Sequence, residues 1–425
     1  MKRALILVSF LLPVSLLFLS CGASPNSSRG GGGSGLKFRA FISQDVSAGN
    51  IAAGVQIIDA EKDARAFVAP ISAGATPGLM VVTPNRVQTL VFSAADNNLT
   101  FISNGGENAV ARITLPGFTE SFVVSPDSLT AYVAVPTAPV VAQSPGVVEV
   151  LNLNTGAITA GLSVPAVRFV AIGHSGNRLL AFSDNSDSVA VITPSNIGTG
   201  NPVTFVGGFD RPVTAFFSGD DNTAYVVNCG AECGGVQASV QTLDLTTNTP
   251  GASIAVPVAS VAVLNGTTMY LAGTPVPNPD PLPCTGQTTA ATSCGLLTVF
   301  DITSMTVVNP APIVITDGYH NRMALGANGQ LFVGARSCTE IIPPIPPPPD
   351  AEVRGCLSIY NTQSGAVVIP PASGDVTGIE PIANRSVVYL VQGGELQIYD
   401  TTTDKLQKTQ IDIAGQVIDV KTVDF

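Results

Sequence analysis

A small set of charged and ionisable residues in this chain has the chemistry to bind or transform a ligand. His320 and Arg322 stand two positions apart in the segment 317–322. Histidine exchanges a proton near neutral pH and arginine donates paired hydrogen bonds to oxyanions, so the two predict a small-anion or acid–base site. A lone His beside an Arg is more often a structural hydrogen bonder, which is the competing interpretation of His320. The other candidate ligand-binding residues are Glu120, Arg168, Asp210, Arg211 and Glu380.

The sequence lacks the motifs of common enzyme and metal sites. It contains no Gly-x-Ser-x-Gly nucleophile motif, no phosphate-binding loop and no zinc-protease motif. Its two histidines, His174 and His320, are too few for a histidine metal cluster. Segments 96–98 and 184–187 could offer oxygen ligands to calcium. Asn and Asp are also favoured in hairpin turns, and we interpret both segments as turns. We therefore assign no catalytic residue, metal or cofactor, and favour a protein that is not an enzyme.

The N-terminus has the pattern of an export signal. Lys2 and Arg3 precede an apolar run over residues 4–19, which is too short for a spanning helix, and the small Ser20 precedes Cys21. Such a signal is cleaved either before Cys21 or, as an ordinary signal peptide, slightly beyond it. Either cleavage predicts an exported protein.

The segment Phe18-Leu19-Ser20-Cys21 resembles a bacterial lipobox. The resemblance implies that residues 1–20 are a lipoprotein signal peptide and that Cys21 is acylated. Gly22 resembles the residue that directs such proteins to the outer membrane, with the body in the periplasm or on the exterior. Residues 21–35, rich in Gly and Ser, would form a flexible tether to a body at residues 36–425.

Six cysteines remain after Cys21, and disulfides persist in exported proteins. Pairing in sequence order is one of the fifteen connectivities that six cysteines allow. We favour it because each pair then brackets one loop, and zinc binding is the weaker alternative. The predicted pairs are Cys229 with Cys233, Cys284 with Cys294, and Cys338 with Cys356.

Charge and hydropathy exclude several classes of partner. The net charge is −11 with no basic cluster, so we expect no nucleic-acid partner and membrane contact only through the lipid. Charged residues make up 12% of the chain, and apolar residues fall in short runs separated by Gly, Pro, Asn and Asp. This punctuation is typical of a many-stranded all-β protein, which we expect to be a monomer.

An internal repeat defines the predicted architecture. Segment 125–133 recurs in degraded form at 83–91 and 218–226. Each repeat contains one strand, and we call the residue at the equivalent position of each such strand its anchor. A further strand follows, which often ends in Asp or Asn. The equivalent anchors are Phe41, Leu90, Tyr132, Leu180, Tyr225, Tyr270, Phe332 and Tyr389. With a preceding and a following strand, each unit has four strands, which predicts a β-propeller.

The repeat resembles the YVTN-type β-propeller repeat, most closely at Ala224-Tyr225-Val226-Val227-Asn228. The resemblance covers most of residues 36–425 and implies a propeller of four-stranded blades. The chain has no Trp, which argues against propeller repeats that require it. Counting anchors gives eight blades if residues 416–423 supply the inner strand of the first blade and close the ring. Seven blades is the alternative.

The propeller arrangement predicts where function would lie. All three cysteine pairs fall in loops between the second and third strands of consecutive blades, so one face carries rigid loops at 272–295 and 335–355. We expect this face to bind an envelope protein or glycan. The charged candidates should meet at the same face, at the starts of the inner strands, whereas His174 should lie opposite. A hydrolase or lyase using His320, Arg322 and Glu380, or a purely structural envelope protein, are the alternatives.

Overall fold

Short apolar segments separated by turn residues form antiparallel strands throughout the computed structural model of this protein. The structure describes residues 33–46, 53–276, 294–309, 311–342, 352–407 and 410–424. Within these ranges the strands form eight separate sheets arranged as the blades of a propeller, and the prediction of eight blades is confirmed. Two short 3-10 turns, Pro194–Asn196 and Gly230–Cys233, are the helical elements of the described part.

The first four blades take their strands in chain order, apart from the strand that closes the ring. Blade 1 contains β1 (Arg39–Asp45), β2 (Gly54–Asp59) and β3 (Ala64–Arg65). Blade 2 contains β4 (Pro77–Val82), β5 (Gln88–Ser93), β6 (Asn98–Ser103) and β7 (Asn108–Thr114). Blade 3 contains β8 (Ser121–Val124), β9 (Thr130–Val135), β10 (Val147–Asn152) and β11 (Ala157–Ser163). Blade 4 contains β12 (Val167–Ile172), β13 (Leu179–Ser183), β14 (Ser188–Ile192) and β15 (Val203–Gly207).

The remaining blades follow the same order. Blade 5 contains β16 (Pro212–Phe217), β17 (Thr223–Asn228), β18 (Ser239–Asp244) and β19 (Thr249–Ala255). Blade 6 contains β20 (Val261–Asn265), β21 (Thr268–Gly273) and β22 (Gly295–Asp301), with its outer strand split into β23 (Thr306–Val307) and β24 (Ile313–Ile315). Blade 7 contains β25 (Tyr319–Leu325), β26 (Gln330–Arg336), β27 (Leu357–Asn361) and β28 (Val367–Val368). Blade 8 contains β29 (Val376–Pro381), β30 (Val387–Gln392), β31 (Glu395–Asp400) and β32 (Lys405–Leu406).

The C-terminal strand closes the ring as the sequence predicts. β33 (Gln416–Thr422) pairs antiparallel with β1 and becomes the inner strand of blade 1, with Ala40 opposite Thr422. Arg39 reinforces this closure, since its Nη2 lies 2.7 Å from Asp424 Oδ1 and its Nη1 lies 2.8 Å from Glu107 Oε1 in blade 2. Pairing of both chain ends in one sheet removes an exposed strand edge.

The hydrophobic core lies between neighbouring blades rather than at one centre. Eight clusters of buried apolar side chains each join residues of two adjacent blades. Phe332 of blade 7, for example, packs edge-to-face on Tyr399 of blade 8 with ring centroids 5.1 Å apart. All eight predicted anchors occupy the second strand of their blades, whose residues are almost entirely buried.

The turns between the first and second strands link one blade to the next. Ser128 and Asp221 occupy the position where the YVTN-type motif has Gly, and both have left-handed backbone with φ of 61° and 57°. Their side chains contact the preceding blade. Ser128 Oγ accepts a hydrogen bond from the Asn85 amide at 3.0 Å, and Asp221 accepts from the amides of His174 and Ser175 at 2.9 and 2.7 Å. These hydrogen bonds offset the free-energy cost of a left-handed backbone at a residue other than Gly.

Replacing Asp221 by Asn is expected to lower the free energy of unfolding by about 1 kcal/mol at neutral pH, because Asn keeps one oxygen acceptor but loses the charge and the second acceptor. Burial raises the pKa of Asp221, but hydrogen bonds from Ser175 and His174 lower it to about 2. The stabilisation is therefore present above the pKa of an unfolded Asp and is lost as the pH falls through about 2. Urea unfolding at pH 7 and at pH 2 measures both effects, and a penalty of the same size at the two pH values contradicts the assignment.

The predicted disulfides lie in loops between second and third strands. Cys229 bonds Cys233 and Cys338 bonds Cys356, as pairing in sequence order requires. Cys294 is buried, and its predicted partner Cys284 lies outside the described residues. The two pairs are typical of a protein that folds in an oxidising, exported location.

Several other predictions fall on parts of the chain outside the described residues. These include the signal peptide, Cys21, most of the tether, and segments 277–293 and 343–351 of the two proline-rich loops. In the described part, none of the helical segments is long and apolar enough to cross a membrane.

Candidate functional site

β-Bulges shape the end of the central channel on the face that carries the disulfide loops. In six of the eight blades, the described residues show a register shift near the start of the inner strand, where an extra residue faces its partner strand. A bulge bends the strand and changes the direction of the side chains beside it. The extra residues are Ile418, the pair Gly78 and Leu79, Arg168, Val213, Asn321 and Thr377.

The extra residues of four of these bulges, in blades 1, 2, 5 and 7, line a cavity of about 680 Å³ at the mouth of the channel. Its walls come from seven of the eight blades. One part is apolar and aromatic, with Phe92, Phe118 and Phe169, and the other is polar, with His320 and its neighbours on β25. This volume and mixture of surfaces fall within the range of small-molecule sites.

Two arginines of blade 7 form one wall of the cavity. Arg322 donates from Nε to the Thr377 carbonyl at 2.8 Å and from Nη1 to the Asn321 carbonyl at 3.0 Å. Its Nη2, and all three nitrogens of the Arg336 guanidinium, donate no hydrogen bond to another described residue, and neither arginine forms an ion pair there. Burial lowers the pKa of Arg322, while Asp419 raises it and Arg336 lowers it through their charges.

His320 is fully buried beside this wall. Its Nε2 donates to the Thr316 carbonyl at 3.0 Å, because a carbonyl can only accept, and its Nδ1 has no partner among the described residues. Burial lowers the pKa of His320 to about 4. The ring is therefore neutral at pH 7, with a free acceptor at Nδ1. Asn321 Oδ1 and Arg336 Nε, on the same pair of strands, are likewise buried without a partner, but the His320 ring packs against Gly295 of blade 6, away from the arginines.

The carboxylates near the cavity are largely committed to other partners. Asp419 accepts from the Met80 amide at 2.9 Å and lies 3.4 Å from Lys421 Nζ. Although burial lowers the pKa of Lys421, the charges of Asp419 and Glu380 raise it above its ordinary value. Glu120 lies 2.7 Å from Arg168 Nη2. These pairs leave the charges of the blade 7 arginines without a close counter-ion among the described residues.

A second pocket of about 450 Å³ adjoins the cavity under the disulfide loop of blade 5. Arg168, Arg211 and Glu232 line it. Burial raises the pKa of Glu232 to about 7, although its Oε2 accepts from the Thr274 amide at 2.9 Å. A Cβ at Gly273 would lie 2.5 Å from Glu232 Oε2, so a larger residue there would require the Glu232 side chain to shift.

The structure divides the candidate residues, which the sequence analysis assigned to one site, between two pockets. His320, Arg322 and Glu120 line the main cavity, Arg168 and Arg211 line the second pocket, and both pockets share Tyr319. Glu380 is absent from the described lining of either. It accepts from the Thr422 amide at 2.8 Å and ties blade 8 to the closing strand.

Asp210 serves the disulfide loop of blade 5 rather than a ligand. Its Oδ2 accepts from the Gln237 amide at 2.7 Å. His174 lies in the turn between β12 and β13, at the opposite end of the strands, as predicted. Segments 96–98 and 184–187 begin in the hairpin turns that we expected.

Sequence reasoning missed Arg336 and Glu232. Arg336 ends a second strand, and antiparallel pairing places it opposite Tyr319 at the cavity end of the blade. Pairing the end of each second strand with the start of its inner strand would have placed Arg336 at the cavity end of blade 7. Nothing in the local sequence around Glu232 indicates burial, because its surroundings come from the next blade.

These features define a class of protein, an eight-bladed β-propeller with a cavity at the channel mouth. No family model and no curated protein matches the sequence, so the YVTN-type resemblance stays a prediction. Among solved structures, the chain is similar to the dihydro-heme d1 dehydrogenase NirN in complex with DHE, with a TM-score of 0.61 and 13% identity over 92% of this chain and 75% of that one. It is also similar to the hydrazine synthase of Kuenenia stuttgartiensis, with a TM-score of 0.50 and 18% identity over 68% and 78%. At such identities these similarities show the fold alone.

Proposed function

We propose that this protein is a non-enzymatic binding module of a bacterial cell envelope, which takes a small polar ligand in the cavity at the channel mouth. The supporting observation is that Asn321 Oδ1 and Arg336 Nε, both of residues that line the cavity, are buried without a partner among the described residues. Buried donors and acceptors without partners cost free energy, so they are typical of sites that water or a ligand completes.

Binding is better supported than catalysis. His320 is held in place by the Thr316 carbonyl and is fully buried, whereas Glu380 is engaged by Thr422 and Lys421. A hydrolase or lyase would need an acid and a base that reach the same substrate atom. The proposed enzymatic trio therefore lacks the geometry that this chemistry requires.

The envelope setting supports a ligand that belongs to a larger partner. In this proposal a lipid at Cys21 tethers the propeller to the outer membrane. The braced loops of blades 5 and 7 stand on the same face as the cavity and would meet the partner's surface. The polar cavity favours a glycan over a protein as that partner, because hydroxyl groups both donate and accept hydrogen bonds.

Replacing Ala95 by Trp tests the cavity as a binding site. Ala95 is exposed at its edge, so the indole should fill part of the space without disturbing the core. We expect sugars or sugar acids that bind the protein in ligand-detected NMR to bind the A95W variant at least tenfold more weakly. The matched control is Ala157→Trp, which is exposed on the outer strand β11 and should leave binding unchanged. If no such compound binds the protein, or if A95W binds equally well, the proposed function is wrong.

A further inference from the structure

We propose that the cavity is selective for a hydroxylated carboxylate, a sugar acid or related organic acid, which Arg322 and Arg336 bind through its carboxylate group. This inference rests on the proposed function and names the ligand class of the same site. It begins from the two guanidinium groups that share one wall without an anion.

The arrangement of the donors favours an oxyanion. Arg322 is fixed by the Thr377 and Asn321 carbonyls, which leaves Nη2 as its free donor. All N–H groups of the Arg336 guanidinium are free to bind a ligand, because the guanidinium donates to none of the described residues. A planar guanidinium binds a carboxylate through two parallel hydrogen bonds, and such charge-assisted bonds are about twice as strong as neutral ones. Two like charges side by side are otherwise unfavourable, and an anion between them removes the repulsion.

The nearby carboxylates do not supply that anion. Asp419 is held by the Met80 amide and Lys421, and Glu120 is held by Arg168. Asp45 also lines the cavity, from the end of β1, but forms no ion pair with either arginine. The positive wall of blade 7 is thus complementary to an incoming acid.

An unpartnered acceptor at the cavity distinguishes an acid with hydroxyl groups from a simple anion. Asn321 Oδ1 is buried and lacks a donor among the described residues, and Asn321 lines the cavity next to Arg322. A hydroxyl group, or a water held by one, satisfies such an acceptor. The opposite wall is aromatic, with Phe92, Phe118 and Phe169, and would cover the carbon skeleton.

Matched pairs of acids and neutral analogues test this selectivity. The probes are galacturonate with galactose and gluconate with sorbitol, which differ chiefly in the carboxylate, together with inorganic phosphate. Isothermal titration calorimetry at pH 7 should show at least one acid binding at least tenfold more tightly than its neutral partner. Arg336→Gln should weaken that acid at least tenfold, and Arg336→Lys should weaken it less. The control Arg178→Gln removes the same charge from a partly exposed position on the opposite face and should have no effect.

The outcomes separate the two proposals. If neutral sugars bind as tightly as their acids, or if R336Q binds the acid normally while its thermal unfolding matches the unaltered protein, the carboxylate inference is overturned and the cavity remains a binding site. Binding of phosphate with no binding of either acid reassigns the wall to phosphate and also overturns the inference. If no sugar or sugar acid binds the protein, or if A95W binds them as tightly as the unaltered protein does, the proposed function itself is wrong.

Discussion

The Asp63→Ala variant is expected to lower the free energy of unfolding by about 3 kcal/mol, because Asp63 joins the last blade to the first. Its carboxylate oxygens lie 2.6 and 2.8 Å from the two terminal nitrogens of Arg385, and Tyr389 donates its hydroxyl to Oδ1 at 2.5 Å. The side chain of Asp63 is only 16% exposed, so its removal leaves Arg385 and Tyr389 poorly solvated.

Backbone conformation adds to this effect. Asp63 has φ of 53°, a left-handed conformation that Asn and Asp adopt at lower cost than Ala. Asp63→Asn keeps one oxygen acceptor and the tolerated backbone, so it should cost about half as much. Urea unfolding measures both variants, and a loss below 1 kcal/mol for D63A would show that the seam between blades 8 and 1 does not depend on this ion pair. The turn lies at the opposite end of the strands from the cavity, so ligand binding should be unchanged.

The second large effect is a pH-dependent gain of stability in the Glu232→Gln variant. Burial raises the pKa of Glu232 from its ordinary value of 4.5 to about 7. Between these values the folded protein retains a proton that the unfolded chain releases, so the unaltered protein loses stability as the pH rises from 4.5 to 7. A shift of this size corresponds to about 3 kcal/mol.

The Gln side chain has a similar shape but does not ionise, so E232Q should gain about 3 kcal/mol relative to the unaltered protein between pH 4.5 and pH 8. Free energies of unfolding from urea titrations across this range, with the disulfides intact, provide the measurement. Glu340→Gln is the matched control, because Glu340 is exposed in the disulfide loop of blade 7. A difference between E232Q and the unaltered protein that does not change with pH contradicts the burial of this carboxylate.

Strand positions and blade number could be predicted from the sequence because they depend on local patterns. The anchors from Phe41 to Tyr389 recur at intervals of 42 to 62 residues, and each marks the buried second strand of a blade. Alternation of apolar and polar residues determines which face of a strand is buried, and turn residues determine where it ends. The sequential pairing of Cys229 with Cys233 and of Cys338 with Cys356 was predictable for the same reason, since each pair closes one loop.

The candidate site was predicted only in part. The topology correctly placed His320 and Arg322 at the channel mouth, but the expected role of Glu380 beside them did not follow from strand order. The bulge at Asn321 shifts the register between β25 and β26, and such a shift changes side-chain directions that the period-two pattern alone would assign.

By itself, the sequence determined the eight repeated blades, the closing strand (predicted at 416–423, observed at Gln416–Thr422) and the two described loops that disulfides brace. Tertiary structure alone decided that Arg336 faces the cavity without a counter-ion, that Glu232 is buried by Thr274 of the next blade, and that Asp63 meets Arg385 across 322 residues of chain. The physical reason is that hydrophobic alternation acts within a strand, whereas burial of a charge and the choice of its partner depend on which blades become neighbours when the ring closes.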